Sequence, residues 1–217
     1  MPVAARKPLH FVGSSRKDLR AMPEDVQDVF GAALLDAQHG ESAPNARPFG
    51  EGLPGRVLKL AQDHYGDTYR LAYTATFPRA VYVLHVFKKK LAGRTSTPFA
   101  EIELVRTRLR IAAEHYQEHY RPWGMAMSDD TMVHDSTGNV FADMEMADSE
   151  TRLAKAELAR AIRNVLEERG LDEASAAELL GISQPDLSDL TVGKLARFSM
   201  ERLERFLNAL GVESAST

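Results

Sequence analysis

Two short runs constrain the first half of this chain. Thr68 to Ala75 and Ala80 to Phe87 read as strands, separated only by Thr76-Phe77-Pro78-Arg79. A third, Arg56 to Gln62, precedes them across the turn His64-Tyr65-Gly66-Asp67, so an antiparallel meander is the simplest pairing. The last strand ends in Lys88-Lys89-Lys90, and its partner carries Arg70. Fixed cations on rigid strands suit a protein that holds and cleaves a phosphodiester backbone.

The flanking sequence supplies helices. Leu9-His10-Phe11-Val12 reads as a short strand that stops at Gly13, and Ser14 and Ser15 are placed to cap a helix through about Ala21. Pro23 with Glu24 and Asp25 opens a second helix whose apolar positions run from Val26 to Ala37, and Gly40 ends it. Glu41 to Pro54 is a loop rich in Pro and Gly, and a helix from about Pro98 to His119 turns Ile102, Val105, Leu109 and Ala112 to one side.

Pro122 and Gly124 break this pattern, and Met125 to Asp148 is acidic, methionine-rich and weakly periodic. We therefore divide the chain into a first module at 1–124, a connecting segment at 125–148 and a helical module at 149–217. The 217 residues carry a net charge of −4, spread unevenly. Residues 1–120 hold 17 Lys and Arg against 13 Asp and Glu, whereas the remainder hold 10 against 18. Opposite charge suggests modules that pack on each other, with the acidic segment and the first C-terminal helix lying on a basic N-terminal module. Absence of cysteine excludes disulfides and thiolate metal sites and suits a reducing cytosol. No apolar run reaches the length of a membrane helix, so the expectation is a soluble, cytoplasmic protein without a membrane partner.

Within the second half, Asp172 precedes a helix over Glu173 to Leu180, Gly181 stops it, Ile182 plugs the turn, and Ser183 caps the next helix at Gln184-Pro185. A last helix spans Ser199 to Leu210. This ordered set resembles the Xre/Cro-type helix-turn-helix family over Glu157 to Gly211. The resemblance implies DNA contacts from Ser183, Gln184, Ser188, Thr191, Lys194 and Arg197, with Gln184 suited to bidentate pairing with adenine. Asp186 and Asp189 oppose phosphate approach, and a single copy has few cations, so a homodimer on palindromic operator DNA is expected.

The N-terminal order β–α–α–β–β–β–α, with Arg56-Val57-Leu58-Lys59-Leu60, Tyr69-Arg70-Leu71-Ala72-Tyr73 and His85-Val86-Phe87-Lys88-Lys89-Lys90, resembles the phage-derived HigB branch of RelE-like toxins over about Pro8 to Tyr120. Gly138-Asn139-Val140-Phe141-Ala142-Asp143-Met144 resembles the opening segment of HigA-type antitoxins. The resemblances together imply a fused toxin and antitoxin of α+β class. In it a RelE-like domain, an antiparallel sheet with two N-terminal helices and a C-terminal helix, is followed by an all-α helix-turn-helix domain.

The family implies ribosome-dependent mRNA cleavage with neither metal nor cofactor, in which a 2′-hydroxyl attacks the adjacent phosphate. On that resemblance Arg70 binds the scissile phosphate, Lys88, Lys89 and Lys59 stabilise charge or move protons, and Tyr73 and His85 are the remaining acid or base candidates. Arg56, Lys90 and Arg94 are the expected further RNA contacts. Related chains carry more basic residues where Leu91-Ala92-Gly93-Arg94-Thr95-Ser96 stands here. The alternative reading is a transcription regulator whose RelE-like domain is catalytically silent and serves interaction.

Overall fold

The computed structural model describes residues 6–50, 52–53, 57–74, 77–89, 99–120 and 132–212. Its sheet runs β2-β3-β4-β5-β1-β6, with β1 at Leu9–Val12, β2 at Arg47–Pro48, β3 at Val57–His64, β4 at Asp67–Thr74, β5 at Val81–Lys89 and β6 at Val133–Asp135. The meander β3-β4-β5 is antiparallel as the short turns require. The sheet as a whole is mixed, because β1 lies parallel to β5. That pairing needs a long crossover, supplied by the helices α1 (Ser15–Arg20) and α2 (Glu24–His39) and the strands that follow. Ser14 does not cap α1. Its hydroxyl donates to Asp18 at 2.7 Å and accepts from Arg108 at 2.6 Å, while the helix leaves without a side-chain cap.

Helix α3 (Phe99–Tyr120) covers one face of the sheet, enclosing Val12, Phe49, Val57, Ala72, Tyr82, Leu84, Ile102, Val105 and Ala112. Helix α2 covers the other. Twelve of its sixteen residues are buried, including the polar Gln27, Asp28, Asp36 and Gln38, which is more than a helix resting on a sheet alone would bury. The second burying surface is the C-terminal half of the chain: α4 (Val140–Asp143) and α5 (Ser149–Glu168) pack on α2, with α6 (Glu173–Leu180), α7 (Gln184–Thr191) and α8 (Met200–Ala209) completing the bundle. One continuous core therefore runs from Leu71 and Val83 in the sheet through Phe30 and Leu34 to Phe141, Ile162 and Leu203.

The connecting segment is part of this architecture. Val133–Asp135 pairs antiparallel with β1, and α4 follows under the cap of Asn139, whose side chain accepts from the backbone N–H groups of Phe141 and Ala142. Asp143, fully buried, accepts from the Thr137 N–H at 2.9 Å and from the Ser136 hydroxyl. Phe141 then seats against Gly31, where an added Cβ would lie 2.6 Å from its ring.

Net charge misjudges the polarity of the contact. Acidic residues of the first half, Glu24, Asp28, Asp36 and Glu41, meet Arg152, Arg160 and Arg163 of α5. Among the described residues the expected sense, acidic C-terminal groups on a basic module, holds at Asp143 and Glu145 against Arg16 and Arg20 and at Glu157 of α5 against Arg6 and His39. A contact depends on the facing side chains, not on the sum over each module. The innermost pair is Arg163 with Asp36 at 2.6 Å, both nearly inaccessible; burial nonetheless holds the Asp36 carboxyl above its usual range, with Arg163 pulling the other way. Removing one partner of such a pair leaves a buried charge. Arg163→Met should cost about 3–5 kcal/mol in a denaturant titration, whereas Asp36→Leu combined with Arg163→Met should recover most of it. Equal loss in the single and double variants would show that the pair is not what the interface relies on.

Candidate functional site

The three central strands bring the sequence candidates together selectively. Across the ladder Lys59 opposes Ala72, which opposes His85; Ala61 opposes Arg70, which opposes Phe87; and Thr68 opposes Lys89. Directly opposed residues share a face, as do residues two apart along a strand. Lys59, Arg70, His85 and Lys89 therefore lie on the face that α3 covers. From strand spacing, Lys59 and His85 flank Ala72 about 10 Å apart, with Arg70 about 7 Å along β4. Lys59 Nζ donates to the Phe49 carbonyl at 3.1 Å and lies 5.6 Å from the centre of that ring. Arg70 and Lys89 are half-buried near the open end of the β4-β5 ladder.

Tyr73 and Lys88 do not join this set. Tyr73 opposes Leu58 and Val83 on the α2 face and is fully buried; burial and then Asp36 push its phenol far above the usual range, and its hydroxyl has no hydrogen-bond partner among the described residues. It is a core residue at the base of α2. Lys88 opposes Tyr69 on the same side, where its ammonium meets Asp67 at 2.5 Å and sits over the Tyr69 ring. That hydrogen bond raises its pKa. Arg56, Lys90 and Arg94 lie outside the described residues.

His85 is the chemically most defined member. Arg108 donates to its Nδ1 at 3.2 Å, and because a guanidinium only donates, Nδ1 is the accepting nitrogen. The ring proton then sits on Nε2 and is given to Glu101 at 2.6 Å. Burial lowers the pKa of His85, Glu101 opposes the shift, and Arg108 reinforces it. Arg108 is itself anchored by donating to the Leu84 carbonyl at 2.9 Å and to the Ser14 hydroxyl, and packs against Gly13, a left-handed turn residue with little room for a Cβ. The result is a neutral imidazole held between a carboxylate and a guanidinium, stacked on Phe87 and on the same face of the sheet as Lys59 and Arg70. Such a group can pass a proton through its carboxylate while neighbouring cations hold a phosphate.

Glu101 and Arg108 were not among the sequence candidates. A signal for them exists: Glu101, Arg108 and His115 recur every seven residues along the side of α3 that also carries Ile102, Val105 and Ala112. Polar residues on an inward stripe must find partners, and these find His85 and Tyr82.

The C-terminal candidates form a second site. Ser183 accepts from the Asp186 N–H at 3.2 Å and caps α7, and Leu187 and Leu190 turn inward. Gln184 and Ser188 are exposed, whereas Thr191 donates its hydroxyl back to the Ser188 carbonyl at 2.9 Å. Arg197 pairs with Asp186 at 3.1 Å and with Asp189, and Lys194 lies 3.5 Å from Asp189. The cations expected to meet DNA are thus partly neutralised by the same helix. Asp189, Lys194 and Arg197 also line a cleft of about 320 Å³ whose other wall is Gln62, Asp63, His64 and Tyr65 at the β3-β4 turn.

Residues 17–110 match the family described as phage derived protein Gp49-like (DUF891), and residues 140–214 match a helix-turn-helix domain family. No curated protein and no solved structure matches the chain.

The His85 pKa lies below the unfolded value near 6.5, so the fold favours its neutral form. Its contribution to stability is therefore complete above pH 6.5 and lost as pH falls from there toward the depressed folded value. His85→Gln should flatten the acid side of a stability–pH curve below that point, while an unchanged acid limb would mean that this histidine does not titrate with folding.

Proposed function

Because the chain joins a Gp49-like toxin domain of the RelE/HigB-like family to a helix-turn-helix domain, the arrangement of a fused toxin–antitoxin, we propose that it is a latent mRNA endonuclease tied to its own DNA-binding regulator. The observation that carries this reading is the shared face of β3-β4-β5, which sets Lys59, Arg70 and Lys89 around the His85–Glu101 pair. In the proposed reaction Arg70 and Lys59 hold the scissile phosphate. Glu101, through His85, takes the proton of the attacking 2′-hydroxyl as its oxygen bonds to phosphorus, and Lys89 offsets the charge that grows on the phosphoryl oxygens. The P–O5′ bond breaks, and the leaving 5′-oxygen takes up a proton from solvent. The substrate is mRNA on the ribosome in the cytoplasm, and the products are those of transesterification, a 2′,3′-cyclic phosphate and a 5′-hydroxyl.

The antitoxin half acts on this domain by bulk. It packs on α2, whereas the cation row belongs to the opposite face of the sheet, so inhibition is exclusion from a narrow ribosomal site and not the plugging of a pocket. The same half binds operator DNA as a homodimer through Ser183, Gln184, Ser188, Thr191, Lys194 and Arg197, and represses its own promoter.

The second reading, a regulator with a silent toxin domain, is favoured by one feature: both ring nitrogens of His85 already have protein partners. A fragment of residues 1–137, which retains β6 and ends before α4, separates the two. Its induction should arrest growth and yield cleaved mRNA with 5′-hydroxyl ends, and Arg70→Ala with Lys89→Ala should abolish both. A soluble, folded fragment that leaves growth and mRNA intact decides for the silent domain. For the C-terminal half, Asp186→Asn combined with Asp189→Asn releases Lys194 and Arg197 from their carboxylate partners. DNA affinity should rise and the slope of log K against log salt should steepen by about one unit for each additional phosphate neutralised; an unaltered slope would remove both cations from the DNA interface.

A further inference from the structure

At the far end of α3, away from His85, a second polar cluster joins three elements. His10 of β1 and His115 of α3 are buried, and Asp135 of β6 projects to solvent with 79% of its side chain accessible. One ligand atom from each of the three lies within 4.8 Å of the others. His10 Nδ1 donates to Asp135 Oδ1 at 2.7 Å, and His10 Nε2 accepts from the Tyr120 hydroxyl at 2.7 Å. Tyr82 meets His115 Nδ1 at 2.8 Å, and the His10 and His115 ring centres are 4.9 Å apart.

We propose that His10, His115 and Asp135 form a divalent transition-metal site, with Zn²⁺ the best-suited ion, which fastens β6 to β1 and α3. Two imidazoles and one carboxylate are a borderline-to-hard donor set that zinc accepts with a water in the fourth position. Tetrahedral zinc with bonds near 2.0–2.1 Å keeps its ligand atoms about 3.3 Å apart. The His10–Asp135 pair must open by about 0.6 Å, which the exposed Asp135 side chain can absorb, and the widest of the three pairs must close by up to about 1.5 Å. Binding displaces the proton of His10 Nδ1; the imidazole then carries its proton on Nε2 and donates it to Tyr120, which becomes the outer partner that fixes tautomer and ring plane. The two histidines are held in position by tyrosine hydroxyls before any ion arrives, and the exposed carboxylate provides the route in.

The consequence is local. Asp135 belongs to the strand that leads into α4 and the helix-turn-helix half, so an ion here clips that strand to the sheet. Untagged full-length protein, stripped with chelator, is titrated with Co²⁺ and with Zn²⁺. The expected result is one ion per chain, visible d–d bands of tetrahedral cobalt, and a zinc-dependent rise in melting temperature. Asp135→Asn, at an exposed position, should weaken zinc binding at least about tenfold with the circular dichroism unchanged, and Tyr120→Phe should weaken it by about tenfold. No cobalt bands, or zinc binding undiminished in both variants, would overturn the site, the second outcome by placing the ion on other histidines.

Discussion

The structure depends on burying one helix from two sides. Helix α2 meets the sheet through Phe30 and Leu34 and meets α4 and α5 through Gly31, Ala32 and the acidic side chains that pair with arginines. Small residues set the distance. Gly31 admits Phe141, and Ala32 lies where a Cβ on Gly193 would come within 2.5 Å. Gly193 is itself in the left-handed region that glycine adopts without cost, so the α7-α8 connection can approach α2 closely. A helix so enclosed cannot be exposed on one side without opening a cavity or stranding a charge, which links the fold of the helix-turn-helix half to that of the sheet domain.

The opposite face is organised differently. There α3 carries polar groups inward at intervals of seven, and each is satisfied by a strand residue: Glu101 and Arg108 by His85, His115 by Tyr82. The outcome is a rigid polar layer inside an otherwise apolar contact. A proton-transferring group benefits from such rigidity, because its orientation is set before a substrate arrives. Whichever role the toxin domain has kept, its polar layer lies on the side that the C-terminal half leaves alone.

Much of this was legible in the sequence. The meander, α2, α3 and all the helices from Ser149 onward follow from alternation, caps and glycine stops, and Asp172, Ser183 and Ser199 each cap as their types suggest. The separation of the candidate site was also legible, in parity: Arg70 and Tyr73 are three apart on one strand and Lys88 and Lys89 adjacent on another, so neither pair can share a face. What periodicity could not reveal was non-local. The parallel β1-β5 pair joins residues some seventy positions apart, β6 is three residues long, and α4 is one turn whose stability comes from Asn139, Asp143 and the Gly31 seat. Short elements of this kind acquire their structure from what they touch.

The ends of the sheet have a consequence for how copies of this chain meet. One border strand, β2, is two residues long and ends in Pro48, which has no N–H to offer; the other, β6, is three residues long and comes from the chain's own connecting segment. Neither strand by itself presents a long row of open backbone groups, but β2 covers only Leu58 and Lys59 of the eight-residue β3, so among the described residues the outer edge of Leu60–His64 carries no ladder partner. Strand addition is therefore disfavoured along β2 and β6 themselves, and the one stretch of sheet edge among the described residues that an extended segment could lengthen is that of β3 beyond Pro48.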